Sequence, residues 1–128
     1  MTRASARLNY VEIPVSDKVV SSEFFAVAFG WELMSFGPTY AATSHGGAGD
    51  SVDFGLQADP SEASTAPLPV IHVDDLDGTL TRVRAAGGTI TRPAFDFPGG
   101  RRFHFREPGG NELAAWTMSD GGLENAPK

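Results

Sequence analysis

Residues 8–15 alternate between two faces, which predicts a half-buried β-strand near the start of the chain. The apolar face carries Val11, Ile13 and Val15, and the other face carries Tyr10, Glu12 and Pro14. Three short strands are predicted further on, separated by turns that contain glycine, at residues 31–36, 39–44 and 51–57. This half of the chain therefore holds one long strand and a group of three short ones.

A helix is predicted between them, over residues 18–29, because Val20, Phe24 and Val27 recur at helical spacing. Asp17 supplies an N-cap before the helix, and Gly30 supplies a stop after it.

The same succession of elements then starts again. Residues 58–67 are small, polar and Pro-bearing, which is typical of a linker. Beyond it the pattern predicts a strand at residues 68–73, a cap at Asp74-Asp75 and a helix that ends at Gly87-Gly88. Three further strands are predicted at residues 89–92, 101–106 and 112–117. Aligning Ile13 with Ile71 also carries Gly30 onto Gly88, as expected of an internal repeat.

Two such units predict an α+β fold, with two tandem βαβββ modules forming a curved mixed sheet around a cleft. We expect a single domain over residues 1–128, with halves at about 7–57 and 68–118, the linker at 58–67 and a C-terminal tail at 119–128.

Composition narrows the classes of function. The chain has no cysteine, which excludes disulfides, thiolate nucleophiles and cysteine-based metal sites. The net charge is −6 without a basic patch, which argues against nucleic-acid binding. The sequence shows neither a signal-peptide pattern nor a membrane span, so we expect a cytoplasmic protein.

The strand faces that point away from the helices carry the candidate chemistry. Acids, bases and aromatic residues are mixed there, at Tyr10, Glu12, Asp53, Gln57, Leu68, Val70, His72, Arg102, His104, Ala114 and Trp116. A solvated sheet face is the alternative for any one of these residues. Collectively, the large apolar side chains favour a ligand pocket with apolar walls and a few polar groups.

The chain resembles the vicinal oxygen chelate superfamily, which includes glyoxalase I, bleomycin-resistance proteins and extradiol dioxygenases. The resemblance covers roughly residues 8–117. It rests on the order and spacing of Val-Glu-Ile-Pro-Val-Ser-Asp17, the run from Phe24 to Trp31, Val-Ile-His-Val-Asp-Asp-Leu76 and Glu-Pro-Gly-Gly-Asn-Glu-Leu113. It implies the paired βαβββ fold and a homodimer.

The resemblance also implies where a metal would be held, at the start of the first strand and near the end of the fourth strand of each half. These positions fall on Tyr10, Leu68 and Ala114, and on the face formed by Asp53, Gly55 and Gln57. Leucine and alanine carry no donor atom, and a phenol with a pKa of about 10 is a poor ligand. We therefore expect no metal and no other cofactor. A shifted site built from Glu12, His72 and either Glu112 or His104 is the alternative.

Glu12 and His72 are the acid–base candidates, because a carboxylate and an imidazole in a partly dry cleft acquire pKa values suited to proton transfer. The alternative is that Glu12 and His72 form an ion pair or hydrogen-bonded pair that only satisfies the two buried polar groups. His104 beside Arg102 suits an anionic ligand group, whereas Arg102 could equally be a rim residue in water.

Three functions follow. The first is a metal-free small-molecule-binding protein that holds an aromatic or amphipathic ligand between Tyr10 and Trp116. The second is a lyase or isomerase that uses an atypical metal or Glu12 and His72. The third is a module that assembles with a protein partner. Whether the protein is an enzyme stays open at this point.

Overall fold

The computed structural model describes residues 6–43 and 52–118. The predicted turn at residues 45–50, which includes His45, and the predicted tail at 119–128 lie outside the described residues. The fold is α+β, as predicted, and two helices alternate with strands. Their bounds are β1 Ala6–Pro14, α1 Lys18–Phe29, β2 Leu33–Ser35, β3 Tyr40–Thr43, β4 Asp53–Gln57, β5 Leu68–Val73, α2 Leu76–Ala85, β6 Thr89–Phe97, β7 Gly100–Arg106 and β8 Glu112–Met118.

Contacts divide the chain into two compact units. One consists of Asn9–Pro69, and the other consists of the residues from Val70 onward together with those up to Leu8. The strand order is β2-β3-β4-β1 in the first half and β5-β8-β7-β6 in the second. In each half the first strand pairs in parallel with the last, and the other neighbours are antiparallel. The two βαβββ modules therefore share one topology, as the repeat predicts.

Both helices begin at the predicted caps. The Asp17 carboxylate accepts hydrogen bonds from the amides of Val19 and Val20, and Asp75 accepts one from the amide of Gly78. The helix ends differ from the predicted alignment. The left-handed residue after α1 is Gly30, with φ of 73°, whereas the one after α2 is Gly87, with φ of 102°, rather than Gly88.

Strand β6 is longer than the sequence pattern predicts. It continues past Arg92 and through Pro93 to Phe97, with register shifts against β7 between Ile90 and Arg92 and between Arg92 and Phe95. These irregularities allow a proline in the strand, because a bulged edge strand need not donate every backbone hydrogen bond.

In the second half, α2 covers one face of the sheet and buries an apolar core. Its buried members are Val73, Leu76, Phe103, Phe105 and Ala115. They include the predicted inward positions of β5, β7 and β8.

The first half is organised around aromatic rings. Phe25 of α1 stacks on Trp31 with centroids 5.4 Å apart and meets Phe54 edge-on at 5.0 Å. The stripe expected to face the sheet is instead exposed: Phe24 is 58% and Val27 is 87% accessible. Because the rings bring the largest apolar area, their stacking decides which side of α1 meets the sheet.

Over the described ranges, neither helix is long and apolar enough to span a membrane.

Candidate functional site

In the second half, the sheet face opposite α2 carries a row of four side chains on four neighbouring strands. His72 of β5 pairs with Trp116 of β8, Trp116 pairs with Arg102 of β7, and Arg102 pairs with Phe95 of β6. Directly paired residues point to the same face of a sheet. The row therefore brings together three of the residues predicted from sequence and adds Phe95.

The neighbouring row is formed by Val70, Ala114, His104 and Arg92. The first three are nearly inaccessible, at 3%, 0% and 3%. This row gives the face an apolar floor with one buried imidazole.

Aromatic and cationic groups meet at Phe95. The guanidinium carbon of Arg92 lies 3.7 Å from its ring centre, and that of Arg102 lies 5.5 Å away. The ring of His104 is 5.9 Å from the same centre. Contacts of this kind orient the planar guanidinium groups over the ring.

Trp116 lies between two rings on the same face. The His72 imidazole meets it edge-on with centroids 4.8 Å apart, and Phe97 approaches it at 6.1 Å. Six neighbouring residues thus form one cluster on this side of the sheet, with His104 buried beneath the others. We call it the cation–aromatic face: His72, Arg92, Phe95, Arg102, His104 and Trp116.

His104 is held in one orientation by an acid. Its Nδ1 lies 3.3 Å from Oε2 of Glu112, and the same oxygen accepts a hydrogen bond of 2.9 Å from Oγ1 of Thr91. Burial lowers the pKa of His104 below its usual value, and the positive charge of Arg102 lowers it further. His104 is therefore neutral at physiological pH. Its Nε2 atom is buried and has no hydrogen-bond partner within the described ranges.

The first half presents a different group, a carboxylate with two phenols. Glu12 is 4% accessible, and Oε1 accepts a hydrogen bond of 3.0 Å from the Tyr40 hydroxyl. That hydroxyl is in turn hydrogen-bonded to the hydroxyl of Tyr10. Both phenol oxygens occupy the space that a side chain at Gly55 would need. Glycine is thus what allows the three polar groups to meet over β4.

Burial raises the pKa of the Tyr40 hydroxyl well above its usual value, and the negative charge of Glu12 raises it further. Tyr40 therefore stays protonated and acts as a hydrogen-bond donor to the carboxylate. Asp53, on the same predicted face, accepts a hydrogen bond of 2.8 Å from Oγ1 of Thr43.

Several of these residues were missed by sequence reasoning. Tyr40 is the first residue of a short strand, and its alternation alone points it to the side of Glu12. Phe95 and Phe97 lie beyond Pro93, outside the strand predicted at residues 89–92. The signal that could have revealed them is the apolar alternation of Phe95 and Phe97, which resumes after the proline.

The two predicted acid–base residues lie in different halves, Glu12 in β1 and His72 in β5. Glu12 accepts a hydrogen bond from the hydroxyl of Tyr40, and the His72 imidazole packs edge-on against the indole of Trp116. Their joint action in one proton transfer stays a prediction.

The side chains at the positions implied for the family's metal do not fit a metal ion. Leu68 and Ala114 are buried hydrocarbon, at 1% and 0% accessible, and the Tyr10 hydroxyl is bonded to another phenol. Across residues 6–43 and 52–118, no three His, Asp or Glu side chains converge as ligands would.

A shallow depression of about 170 Å³ lies elsewhere in the second half, near the end of α2. It is lined by Val83, Ala86, Phe105 and Pro108 among others. Its one acid, Glu107, is tied to the backbone amides of Gly109 and Asn111. We assign no chemistry to this depression.

Comparison with known proteins agrees with this architecture. The chain is 25% identical over 125 residues to "Putative glyoxylase CFP32" of Mycobacterium bovis, covering 87% of this chain and 45% of that protein. The chain therefore spans about half the length of the curated relatives it matches.

Two solved structures share the fold at low identity. Methylmalonyl-CoA epimerase from Mycobacterium tuberculosis superposes with a TM-score of 0.69 at 18% identity, covering 91% of each chain. The Mn(II)-bound glyoxalase from Novosphingobium aromaticivorans gives a TM-score of 0.65 at 20% identity, covering 90% of this chain and 41% of that one. The model of one family matches residues 7–115, and the chain accordingly belongs to the Glyoxalase/Bleomycin resistance protein/Dioxygenase superfamily.

Proposed function

We propose that the protein binds a small organic anion with an aromatic or otherwise apolar body, without the family's metal. The observation that carries this proposal is the row of His72, Trp116, Arg102 and Phe95 across four strands. The row offers aromatic side chains together with a guanidinium, a group that recognises carboxylate or phosphate groups.

Charge supports an anionic ligand. The two rows contain Arg92 and Arg102 and have no acidic residue at any of their eight positions, and the nearby Glu112 is hydrogen-bonded to His104. Phe95 contacts both cations, which positions them at one end of the face. An anionic group at that end would leave the body of the ligand against Trp116.

Metal independence rests on the donor set. The glyoxalase from Novosphingobium aromaticivorans is Mn(II)-bound, whereas Leu68 and Ala114 in this chain supply no ligand atom. Binding through Arg102 and stacking would need no ion.

Tryptophan fluorescence tests the proposal directly. The chain has two tryptophans, so a Trp31→Phe background leaves Trp116 as the only reporter. We expect benzoate and phenylacetate to change its emission with saturation, and the neutral analogue benzamide to bind at least tenfold more weakly.

Arg101 provides a matched control. It precedes Arg102 on the same strand, points to the other face, and pairs with Asp96 at 3.0 Å. We expect Arg102→Gln to weaken benzoate binding by tenfold or more and Arg101→Gln to leave it unchanged. Equal effects of the two variants, or no saturable binding of either acid, would overturn the proposal.

Proton transfer at Glu12, in a lyase or isomerase reaction, is the second candidate function. The buried carboxylate bonded to Tyr40 favours it, because a general base must be a carboxylate or similar acceptor held in a fixed position. The test is turnover of the glutathione adduct of methylglyoxal. Loss of turnover in Glu12→Gln with the fold intact would support this role, and absence of turnover by the unaltered protein would rule it out for this substrate.

The homodimer, the cytoplasmic location and the lack of a nucleic-acid partner stay predictions. Light scattering of the purified protein would decide the first of them.

A further inference from the structure

The hydrogen bonds of His104 determine which ring nitrogen carries the proton. Oε2 of Glu112 lies beside Nδ1, and a carboxylate oxygen accepts hydrogen bonds rather than donating them. A neutral imidazole carries one proton, so Nδ1 holds it and donates to Glu112. Thr91 donates to the same oxygen and keeps that carboxylate in place. The remaining nitrogen, Nε2, is therefore an acceptor with a lone pair.

That acceptor is unsatisfied. His104 is 3% accessible, and no donor within the described parts of the chain reaches Nε2. A buried acceptor without a donor destabilises the folded state, because it has lost its hydrogen bond to water. An unsatisfied buried acceptor calls for an explanation, and a bound molecule that donates the missing hydrogen bond is one.

The position of this nitrogen connects it to the cation–aromatic face. His104 pairs across the sheet with Arg92 and lies beside the Phe95 ring. Phe95 also pairs with Arg102. His104 and Arg102 thus lie in neighbouring rows of the sheet, so a molecule whose anionic group is held by the guanidinium of Arg102 would lie one row away from His104.

We propose that the ligand carries a hydroxyl or N–H group beside its anionic group, and that this group donates a hydrogen bond to Nε2 of His104. The inference rests on the proposed function, since it assumes an anion on the cation–aromatic face. The ligand class that meets both demands is an aromatic acid with an ortho hydroxyl or amino substituent. His104 selects for the substituent, and Glu112 is the positioning residue that fixes the imidazole tautomer.

Two probes separate this inference from the proposed function. Salicylate carries the ortho hydroxyl, and benzoate lacks it. With the Trp116 reporter, we expect salicylate to bind at least tenfold more tightly than benzoate. His104→Phe should reduce that ratio to about one, whereas Arg101→Gln, on the other face of the same strand, should leave the ratio unchanged.

A second measurement does not depend on affinity. In nitrogen NMR spectra of the labelled protein, Nε2 of His104 should be unprotonated in the free protein. It should shift as a hydrogen-bonded acceptor on addition of salicylate and not of benzoate. This readout remains available if His104→Phe does not fold.

The outcomes are distinct. Equal binding of the two acids, or a proton on Nε2 in the free protein, would overturn the inference and leave anion binding intact. Failure of both acids to bind would overturn the inference together with the proposed function.

Discussion

The hydroxyl of Tyr40 lies 3.0 Å from Oε1 of Glu12 and donates to it. Glu12 is one of few buried acids among the described residues, and it lies on the predicted polar face of the first strand. A buried carboxylate is stable only when donors replace the water it has lost. The pair thus explains how an acid is accommodated in β1.

Removing the Tyr40 hydroxyl should destabilise the fold. We expect Tyr40→Phe to lower the free energy of unfolding by about 1–3 kcal/mol, because the carboxylate loses a donor while staying buried. Urea denaturation measures the change. Combining Tyr40→Phe with Glu12→Gln should recover part of the loss, and an additive loss would contradict the proposed dependence of Glu12 on Tyr40.

Tyrosine ionisation gives an independent test. Tyr10 and Tyr40 are the only tyrosines of the chain, so Tyr10→Phe leaves Tyr40 alone to be titrated by ultraviolet absorbance. Its pKa should lie above that of free tyrosine, because burial is the largest cause of the shift. The stability linked to a raised pKa is fully present below about pH 10 and is lost as pH rises toward the folded pKa. Ionisation at the ordinary value would contradict the buried arrangement.

A methyl group at Gly55 should disrupt the two phenols. The new Cβ would collide with the hydroxyl oxygens of both Tyr10 and Tyr40. We expect Gly55→Ala to lower the free energy of unfolding by about 1–3 kcal/mol. Gly55→Ala in a Tyr10→Phe/Tyr40→Phe background is the control, since it removes both oxygens. An equal cost there would show that another contact is responsible.

His104 should make stability depend on pH. Its folded pKa is lowered from 6.5, so the unfolded chain binds a proton first as the solution is acidified. The free energy of unfolding should therefore fall as pH drops below about 6.5 toward the folded pKa. Arg102 and Arg92 oppose protonation, and Glu112 favours it. Urea titrations between about pH 5 and pH 8 should show a shallower slope in His104→Gln than in the unaltered protein. Identical slopes would contradict a neutral native imidazole.

Metal ions should leave thermal stability unchanged. An ion that binds the folded state stabilises it by an amount that grows with the ion's affinity and concentration, which raises the melting temperature. We expect no rise with Ni²⁺, Zn²⁺, Mn²⁺ or Fe²⁺, because Leu68 and Ala114 supply no donor. A concentration-dependent rise would contradict this expectation, and its loss in Glu12→Gln or His72→Asn would identify the shifted site.

The architecture was predictable because its signals are local and repeated. Asp17 and Asp75 cap the helices as expected, and alternation in β5, β7 and β8 assigned the right faces. The repeat helped further, because each half reinforced the assignment of the other.

The details of the site were less predictable, because they depend on pairing between distant segments. Nothing near Phe95 in sequence indicates that it meets Arg102, since that contact follows from the shifted register of β6. Likewise, the bond between Tyr40 and Glu12 requires β3, β4 and β1 to lie side by side. In α1 the sequence pattern was clear but misleading. The helical spacing of Phe24 and Val27 predicted the helix, but these residues are exposed, so the spacing did not identify the side of α1 that packs on the sheet.

The irregular pairing of β6 has a consequence for how this protein could change over evolution. Arg92 and Phe95 lie on the outermost strand of the second half, where the ladder already tolerates Pro93 and two breaks in register. An insertion or deletion there would alter the residues next to His104 without disturbing β7 and β8. Sequence changes in this border strand could therefore reshape the surroundings of His104, while the core formed by Val73, Leu76, Phe103, Phe105 and Ala115 stays constant.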